Sequence, residues 1–561
     1  MSSAIIPSAL DPNTQAFPTL TPAQIDRIRT LGRVRSVQSG EILFEPSGET
    51  IPFYVVLSGE LTILQTTLDG ERNIATHPPG EFSGEISMIS GQRSLVRGLV
   101  TQPGDFLELD NDAMRVLVAR DAELSEILLR AFILRRVALI KQGFGNLVLL
   151  GSRHSAQTLQ LREFLTRNAH PYTYMDLDTD EGAQALLDRF DVKPSEVPVI
   201  ICNAGNLLRN PSVQGLAKCL GLNSTIDATH IRDLVIVGAG PAGLAAAVYA
   251  ASEGLDVVMV ETLAPGGQAG SSSKIENYLG FPTGVSGQEL AARATTQAQK
   301  FGANMMIART IVQLDCDNHP YRVILDGGEA MLTRSVVIAT GAQYKKPDLP
   351  NLARFEGDGI YYGATYIESQ LCGDEEVIVV GGGNSAGQAA VYLSQTARKV
   401  HLLVRSGELS STMSRYLIQR LVENPRIALH FRTEIVALEG DNRLEQVKWQ
   451  DKRTGEISAH PIQHIFLMTG ASPRTDWLRG CLALDAKGFI LTGRDLELLN
   501  GNGNGNGQRW PLNRSPQMLE TSLPSVFAVG DVRSGNVKRV ASAVGEGAIA
   551  VHMVHRNLAE L

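Results

Sequence analysis

LVIVGAGPAG, residues 234–243, is the part of the sequence that most constrains its architecture. Its four apolar residues are typical of a buried parallel strand, and Gly238, Gly240 and Gly243 follow in the spacing G-x-G-x-x-G before an alanine-rich helix. Such glycines permit a tight turn, let the backbone approach a pyrophosphate, and let the helix pack close to the strand. Glu261 ends the next apolar run, where a carboxylate accepts hydrogen bonds from ribose hydroxyls. The sequence therefore predicts a dinucleotide site.

Length and composition indicate a globular protein of several domains. The chain has 561 residues, 43% of them hydrophobic and 20% charged. Its net charge of −8 argues against general nucleic-acid binding. Residues 1–20 lack the basic start and apolar core of a signal peptide, and the uncharged residues 234–252 are explained better by a strand and a helix than by a membrane span. We therefore expect a cytoplasmic protein without a membrane partner.

The five cysteines show neither a C-x-x-C pair nor the spacing of metal ligands. An odd, scattered set of this kind predicts buried, reduced thiols and no metal site. The five are Cys202, Cys219, Cys316, Cys372 and Cys481.

A second copy of the glycine motif occurs at residues 377–386, VIVVGGGNSA, again as a strand, a glycine turn and a helix. Each copy leads to a later strand that ends in Thr-Gly, at Thr340-Gly341 for the first and at residues 469–470 for the second. The sequence thus predicts two dinucleotide sites, one nested within the other. The predicted contact residues of the second site are Gly381, Gly383, Asn384, Ser385 and Ala386.

The residue that ends the second strand differs between the two copies. Glu261 suits free ribose hydroxyls, whereas Arg405 ends the corresponding run VHLLVR of the second copy. An arginine favours a 2′-phosphate, which a carboxylate would repel. The first copy is therefore predicted to bind FAD and the second NADPH, unless Arg405 merely lies on the surface.

The N-terminal region predicts a different kind of domain. A Thr-Pro-Ala-Gln run at residues 21–24 is typical of a capped helix start. From residue 40 onward, short strands separated by glycine turns indicate a small antiparallel barrel or jelly roll, and residues 113–141 have helical periodicity.

The segment FSGEISMISGQRS, residues 82–94, resembles the phosphate-binding cassette of cyclic nucleotide-binding domains. The resemblance implies that Gly84 begins a turn with exposed amides and that Glu85 binds the ribose 2′-hydroxyl. It also implies that Arg93 and Ser94 hold the phosphate of cAMP or cGMP. The alternative is a domain that keeps the shape without the ligand.

The middle region, residues 143–225, predicts alternating strands and helices that resemble the thioredoxin/glutaredoxin fold. Pro198 stands at a strand start, where that fold usually has a cis proline. After the first strand, where the redox dithiol of the fold belongs, the chain reads GSRHSA at residues 151–156. His154 is expected to cap the helix or face solvent. We interpret the module as a spacer or docking platform.

Several further motifs resemble the low-molecular-weight thioredoxin reductases over about residues 230–561. They are GGQ at 266–268, IENYLGFP at 275–282, ATG at 339–341 and GD at 530–531. The resemblance implies a homodimer and an FAD site that includes Gly266, Gln268, Asn277, Thr340, Gly341, Gly530 and Asp531, the last at the ribitol or phosphate region.

One motif of that family is missing. Where the family has Cys-Ala-Thr-Cys followed by an acid, this chain reads Gly363-Ala-Thr-Tyr366, and Ser406 replaces an expected arginine. Cys372 lies nearby but lacks a partner, so we expect a small buried residue. No catalytic residue is therefore assigned.

The resulting hypothesis is FAD-dependent oxidation of NADPH with an unknown electron acceptor and regulation by a cyclic nucleotide. The alternatives are a non-catalytic scaffold that responds to ligands and a disulfide reductase that uses the thiols of a partner. The predicted fold is multidomain: a β jelly roll at 1–142, a thioredoxin-like α/β module at 143–225, and two nested Rossmann-like domains, for FAD at 226–345 and 471–561 and for NAD(P) at 346–470.

Overall fold

The chain divides into two compact units. The first comprises Met1–Arg153, Phe164–Ser224 and Thr296–Ala303, and the second His154–Glu163, Thr225–Thr295 and Asn304–Leu561. The predicted nucleotide ligands Glu85, Arg93 and Ser94 lie outside the described residues. The computed structural model describes residues 15–45, 51–67, 70–84, 88, 96–141, 147–202, 206–223, 226–272, 274–357, 359–364, 366–441, 443–496 and 510–560.

The N-terminal part is an antiparallel β module between helices. Its elements are α1 (Pro22–Arg29), β1 (Arg33–Val37), β2 (Ile42–Phe44), β3 (Phe53–Val56), β4 (Glu60–Thr67), β5 (Gly70–His77), β6 (Arg97–Gln102), β7 (Gly104–Leu109), α2 (Asn111–Arg120) and α3 (Ala122–Lys141). The strands form two sheets, ordered β1-β7-β3 and β2-β6-β4-β5, as a jelly-roll domain requires. The predicted capping box is confirmed, because Thr21 and Gln24 exchange hydrogen bonds of 2.8 and 3.3 Å at the start of α1.

The middle region has the strand arrangement expected of a thioredoxin-like fold. Its elements are β8 (Leu147–Gly151), α4 (Ala156–Arg167), β9 (Thr173–Asp176), α5 (Glu181–Arg189), β10 (Val199–Cys202), β11 (Asn206–Arg209) and α6 (Val213–Cys219). The sheet order is β11-β10-β8-β9, with β8 and β9 parallel and β10 antiparallel to β8. The peptide bond before Pro198 is cis, as predicted, and His154 is exposed.

The first glycine motif lies in a seven-stranded, mostly parallel sheet of the second unit. The elements up to the first linker are β12 (Ile231–Val237), α7 (Pro241–Ser252), β13 (Val257–Glu261), α8 (Gly267–Gly270), α9 (Gly287–Lys300), β14 (Asn304–Ile307), β15 (Ile311–Asp315), β16 (Tyr321–Leu325) and β17 (Ala330–Ile338). They give the strand order β14-β13-β12-β17-β16-β15. The uncharged residues 234–252 therefore form the end of β12, the glycine turn and α7. No helix among the described residues is long and apolar enough to span a membrane.

The second motif lies in its own five-stranded parallel sheet, ordered β19-β26-β20-β21-β22. Its elements, including a three-stranded antiparallel sheet, are β18 (Ala342–Tyr344), β19 (Ile360–Tyr361), α10 (Tyr366–Leu371), β20 (Glu376–Val380), α11 (Asn384–Leu393), β21 (Lys399–Val404), α12 (Arg415–Glu423), β22 (Ile427–Phe431), β23 (Thr433–Glu439), β24 (Gln446–Asp451), β25 (Ile457–His460), β26 (His464–Leu467) and β27 (Ala471–Pro473). The linkers β18 and β27 pair as an antiparallel ribbon. β28 (Val526–Ala528) then joins β17, and α13 (Val540–Glu560) ends the described chain.

Tertiary folding pairs four of the five cysteines. Cys316 and Cys481 form a disulfide although 165 residues separate them, and the sulfur atoms of Cys202 and Cys219 lie 2.6 Å apart. The expectation of reduced thiols throughout is therefore wrong for the first pair, because sequence spacing carries no information on contacts between distant segments. Cys372 is a buried free thiol, as expected.

A cluster of aromatic rings links the two sheets of the region around the second motif. His401 on β21 and His430 on β22 share a contact of 3.0 Å between Nδ1 and Nε2. Trp449 on β24 packs against both rings and stacks on His460 at a centroid distance of 3.5 Å. Burial, followed by the nearby His401, His460 and Lys399, lowers the pKa of His430 to about 4. The ring is therefore neutral in the folded protein at neutral pH.

This cluster predicts a loss of stability in mild acid. An unfolded histidine takes up a proton near pH 6.5, while folded His430 does so only near pH 4, so the free energy of unfolding decreases as the pH falls between these values. His430→Asn should flatten the decrease of the thermal midpoint between pH 7.5 and 4.5. His552→Asn, at an exposed histidine, is the matched control and should leave the slope unchanged. An unaltered slope in His430→Asn would contradict this account.

Candidate functional site

The first glycine turn is built around two contacts that exclude side chains. Gly238 has φ 102°, and a Cβ there would lie 2.5 Å from the carbonyl oxygen of Ala339. A Cβ on Gly243 would overlap with the carbonyl oxygen of Gly238. These contacts let α7 begin directly against β12 and β17, which directs its N-terminal amide groups along the edge of the sheet.

The middle glycine of the turn faces another glycine. The closest atom to a Cβ on Gly240 would be the Cα of Gly267, 3.9 Å away. The backbone N–H of Gly266 donates to the carbonyl oxygen of Ala239 at 2.7 Å, which holds this second glycine pair beside the turn. Backbone lines both sides of the resulting cradle, as close binding of a pyrophosphate requires.

Glu261 supports the turn in addition to its predicted role. Its buried carboxylate accepts hydrogen bonds from the N–H of Ala239 at 2.8 Å and of Leu263 at 3.0 Å, one on each oxygen. Thr262 Oγ1 also donates to this carboxylate at 3.2 Å. Since a carboxylate has about four acceptor positions, one remains for a ribose hydroxyl. The sequence indicated the ribose role but not the support of the turn.

Some, but not all, of the residues that the resemblance implies for the FAD site have the burial or backbone conformation expected of a binding site. Thr340 has a buried hydroxyl without a hydrogen-bond partner among the described residues, which fits a site for a polar group. Gly341 and Gly530 have φ of 64° and 71°, and the side-chain amide of Gln268 donates to the carbonyl oxygen of Ala342. Asn277, by contrast, is exposed on a bend.

Asp531 lies in a half-buried position after β28. Burial raises the pKa of its carboxyl, and Glu546 adds to this while Lys538 opposes it. Glu546 also accepts a hydrogen bond of 2.7 Å from the N–H of Gly530. The Gly530-Asp531 turn is therefore fixed from α13, which packs on α7 where a Cβ on Gly547 would overlap with the carbonyl oxygen of Ala242.

The second glycine turn repeats the geometry of the first. A Cβ on Gly381 would lie 2.5 Å from the carbonyl oxygen of Met468, and Gly383 is the N-cap of α11. Asn384 accepts a hydrogen bond of 2.8 Å from the N–H of Ser414. Ser385 is hydrogen-bonded to Tyr344, and Ala386 is buried. Gly381, Gly383 and Ala386 thus shape the turn. Asn384 and Ser385 connect it to its neighbours.

Arg405 is exposed directly after β21. Arg432, between β22 and β23, lies beside the same turn: its N–H donates to the carbonyl oxygen of Ser406 at 3.1 Å, and a Cβ on Gly407 would be 3.2 Å from its guanidinium. Sequence analysis missed Arg432, since no local motif marks it. A second cation therefore stands close to the position where Ser406 replaces the expected arginine.

A cavity of about 770 Å³ extends from Arg405 past the linkers to residues 533–538. The acid among its lining residues is Asp485, whose carboxylate already accepts from Ser534 Oγ at 2.8 Å and from the N–H groups of Lys487 and Phe489 at 2.8 and 3.0 Å. Asp485 keeps its charge while it accepts these hydrogen bonds, and the lining residues Lys346 and Arg533 pair with Glu356 and Glu546. The lining still has a net positive charge, which suits a phosphate-bearing ligand. Its cations are Lys345, Lys346, Arg405, Lys487, Arg533 and Lys538.

The residues at the expected dithiol position offer no thiol. Gly363 and Ala364 lie between β19 and α10, and Tyr366 begins α10. Cys372 follows α10, donates its S–H to the carbonyl oxygen of Glu368 at 3.3 Å, and has a pKa that burial raises to about 12. A thiol of this kind is a structural residue rather than a nucleophile.

In the N-terminal module, the start of the predicted phosphate cassette is held by α3. Gly84 has φ 107°, and a Cβ there would overlap with Met88. Buried Arg135 of α3 donates to the carbonyl oxygens of Phe82 at 3.1 Å and Gly84 at 2.8 Å. Phe132, one turn earlier, packs edge-on against Phe82. The described start of the cassette, residues 82–84, is thus joined to the long helix that follows the sheets.

Comparison with known proteins agrees with this geometry. The family model described as pyridine nucleotide-disulphide oxidoreductase matches residues 232–547, and that of the cyclic nucleotide-binding domain matches residues 34–121. The chain is 30% identical over 323 residues to a thioredoxin reductase of Streptomyces coelicolor, covering 57% of this chain and 92% of that protein. It is 32% identical over 322 residues to a thioredoxin reductase of Treponema pallidum, covering 57% and 95%.

Two solved structures are similar to the second unit's fold. Thioredoxin reductase of Lactococcus lactis in its FR conformation superposes with a TM-score of 0.52 at 26% identity, covering 59% of this chain and all of that one. The enzyme of T. acidophilum gives 0.51 at 26%, covering 58% and 99%. With the matched residues spanning more than half of the sequence, the chain belongs to the pyridine nucleotide-disulphide oxidoreductase family, is similar to its FAD- and NADPH-dependent thioredoxin reductases, and carries a cyclic nucleotide-binding domain.

Proposed function

We propose that this protein oxidises NADPH through FAD and passes the electrons to an acceptor other than a thioredoxin-type dithiol of its own. The observation that carries the proposal is the cationic cavity that connects Arg405 with the segment after Asp531. A ligand with several phosphates matches this distribution of charge.

Each part of the proposed site has a separate task. NADPH supplies a hydride and FAD accepts it when both are bound. Gly240 and Gly267 would admit the FAD pyrophosphate to the backbone, and Glu261 would orient the ribose. Arg405 and Arg432 would hold the 2′-phosphate, which separates NADPH from NADH.

The acceptor is proposed to come from outside the chain. A dithiol step needs a thiolate and a resolving thiol, and neither Gly363 nor Tyr366 supplies one. Cys372 stays protonated at neutral pH because of its burial. In the disulfide, Cys481 is only 5% exposed in the core of the FAD-type domain and Cys316 is partly exposed, so attack by a protein thiol would have to begin at Cys316.

Two alternatives remain distinguishable from this proposal. A scaffold that binds FAD structurally would not be reduced by NADPH, and a disulfide reductase that uses a partner's thiols would reduce thioredoxin only when that partner is present. The four domain boundaries, the homodimer and the cytoplasmic location stay predictions.

Regulation by a cyclic nucleotide is the second part of the proposal. Arg135 supports it, because its hydrogen bonds to Phe82 and Gly84 would transmit a movement of the cassette to α3. The pKa of this buried arginine is lowered to about 9 by desolvation, so the guanidinium keeps its charge at neutral pH and depends on these carbonyl groups.

Cofactor preference tests the two arginines. Arg405→Glu should lower the ratio of kcat/KM for NADPH over NADH by roughly ten- to a hundred-fold, since a charged hydrogen bond contributes about 1.5–3 kcal/mol. Arg432→Ala should also lower this ratio of kcat/KM. Arg398→Glu, at the opposite end of β21, is the control and should change nothing. An unchanged ratio in Arg405→Glu would show that this side chain does not face the cofactor.

Anaerobic titration tests the route of the electrons. NADPH should bleach the flavin absorbance, and the reduced protein should transfer electrons to a quinone or to oxygen but negligibly to thioredoxin or an aromatic disulfide. Cys372→Ser and the double variant Cys316→Ser/Cys481→Ser should keep flavin reduction. Failure of NADPH to bleach the flavin would favour the scaffold. Rapid disulfide turnover that either variant abolishes would overturn the proposal.

Calorimetry tests the cyclic nucleotide site. Titration with cAMP and cGMP should release heat with the wild-type protein, and Arg93→Ala should abolish it because the desolvated phosphate loses its cation. Arg97→Ala, at an arginine that pairs with Glu45 at 2.8 Å, serves as the control. The absence of heat with both nucleotides would mean that the domain keeps the shape without the ligand.

A further inference from the structure

The thioredoxin-like module contains a close pair of cysteines that its sequence spacing does not reveal. Cys202 is the last residue of β10, and Cys219 is the last residue of α6. Their sulfur atoms lie 2.6 Å apart across the space between sheet and helix. A disulfide bond is about 2.05 Å long, so a shift of roughly half an ångström would bring the two sulfurs to bonding distance.

This pair does not lie where a thioredoxin-type dithiol would stand. Such a dithiol would follow β8, beside the cis proline Pro198, which directly precedes β10. Cys202 is at the other end of β10, three residues from Val199, a distance of about 10 Å along an extended strand. The pair is therefore a separate feature of the module.

The two thiols differ in accessibility. Cys202 is only 2% exposed, whereas Cys219 is partly exposed. The hydrogen bond with Cys219, together with burial, raises the pKa of Cys202. Because a thiolate in contact with solvent is the attacking species in thiol–disulfide exchange, Cys219 is the thiol that reacts first and Cys202 is the one that resolves.

We propose that Cys202 and Cys219 are a redox site that exchanges with low-molecular-mass aliphatic disulfides. The Cys219 thiolate attacks one sulfur of the disulfide RSSR, forms a mixed disulfide and releases one RS⁻. The Cys202 thiol then loses its proton and attacks Cys219 Sγ, releasing the second RS⁻. Both thiolates take up the protons lost by the cysteines, so two thiols and RSSR become one protein disulfide and two RSH.

The bond would join the end of the central strand to the C-terminal turn of α6. Since 17 residues separate the two cysteines, the cross-link closes a loop that contains β11 and most of α6. Oxidation is therefore expected to make this part of the module more resistant to unfolding, and the state of the bond would follow the ratio of disulfide to thiol around the protein.

Equilibration of the full-length protein with mixtures of reduced and oxidised glutathione tests the proposal. After alkylation of the remaining thiols, mass spectrometry of the digested protein should show a peptide pair linked through Cys202 and Cys219. The fraction of this linked pair should rise with the proportion of oxidised glutathione and should fall again when the protein is reduced. Cys372→Ser, at a buried cysteine without a partner, is the control and should leave this titration unchanged.

The single variants distinguish the two roles. Cys202→Ala should trap a glutathione adduct on Cys219, whereas Cys219→Ala should leave Cys202 unmodified under the same conditions. Alkylation of both cysteines in the wild-type protein at every glutathione ratio would overturn the proposal. So would a disulfide that persists unchanged at all ratios, because the pair would then be a permanent cross-link.

Discussion

The close contact of Gly243 with the carbonyl oxygen of Gly238 is the constraint on which the second unit depends. No side chain fits between these groups, so α7 can begin directly at the edge of the sheet. Glu261 then holds the same turn through the N–H of Ala239. On the opposite side, Gly547 allows α13 to approach α7 and fix the Gly530-Asp531 turn. Backbone contact, rather than side-chain chemistry, thus shapes the cradle that we propose for a pyrophosphate.

A similar close contact between a glycine and a backbone carbonyl occurs at the second turn, where Gly381 approaches the carbonyl oxygen of Met468. Charge then distinguishes the two copies. A carboxylate ends β13 in one, while Arg405 follows β21 in the other, with Arg432 beside the same turn. The cationic cavity next to Arg405 extends this difference along the linkers. Repetition of one fold with opposite charges is an economical way to bind two different dinucleotides.

The described cysteines lie away from the position at which the dithiol was expected. Gly363 lies between β19 and α10 and Tyr366 begins α10, and neither residue carries a thiol. Cys372 is held in a core that raises its pKa. Two pairs of cysteines meet elsewhere in the fold: Cys316 and Cys481 form a disulfide, and the sulfur atoms of Cys202 and Cys219 are in contact. Neither pair is close in sequence, so both depend on the packing of separate elements.

The cis bond before Pro198 was expected from the resemblance of the middle region to the thioredoxin/glutaredoxin fold. The sequence by itself determined the features that arise from local pattern: both strand–turn–helix motifs, the capping box at Thr21 and the antiparallel N-terminal sheets. These follow from spacing, hydrophobic period and the conformational needs of glycine and proline, all of which act within a few residues. Only the tertiary structure decided the disulfide between residues 165 positions apart, the second role of Glu261, the cavity and the place of Arg432. Each of these is a contact between distant segments, and local spacing carries no record of which distant segments meet.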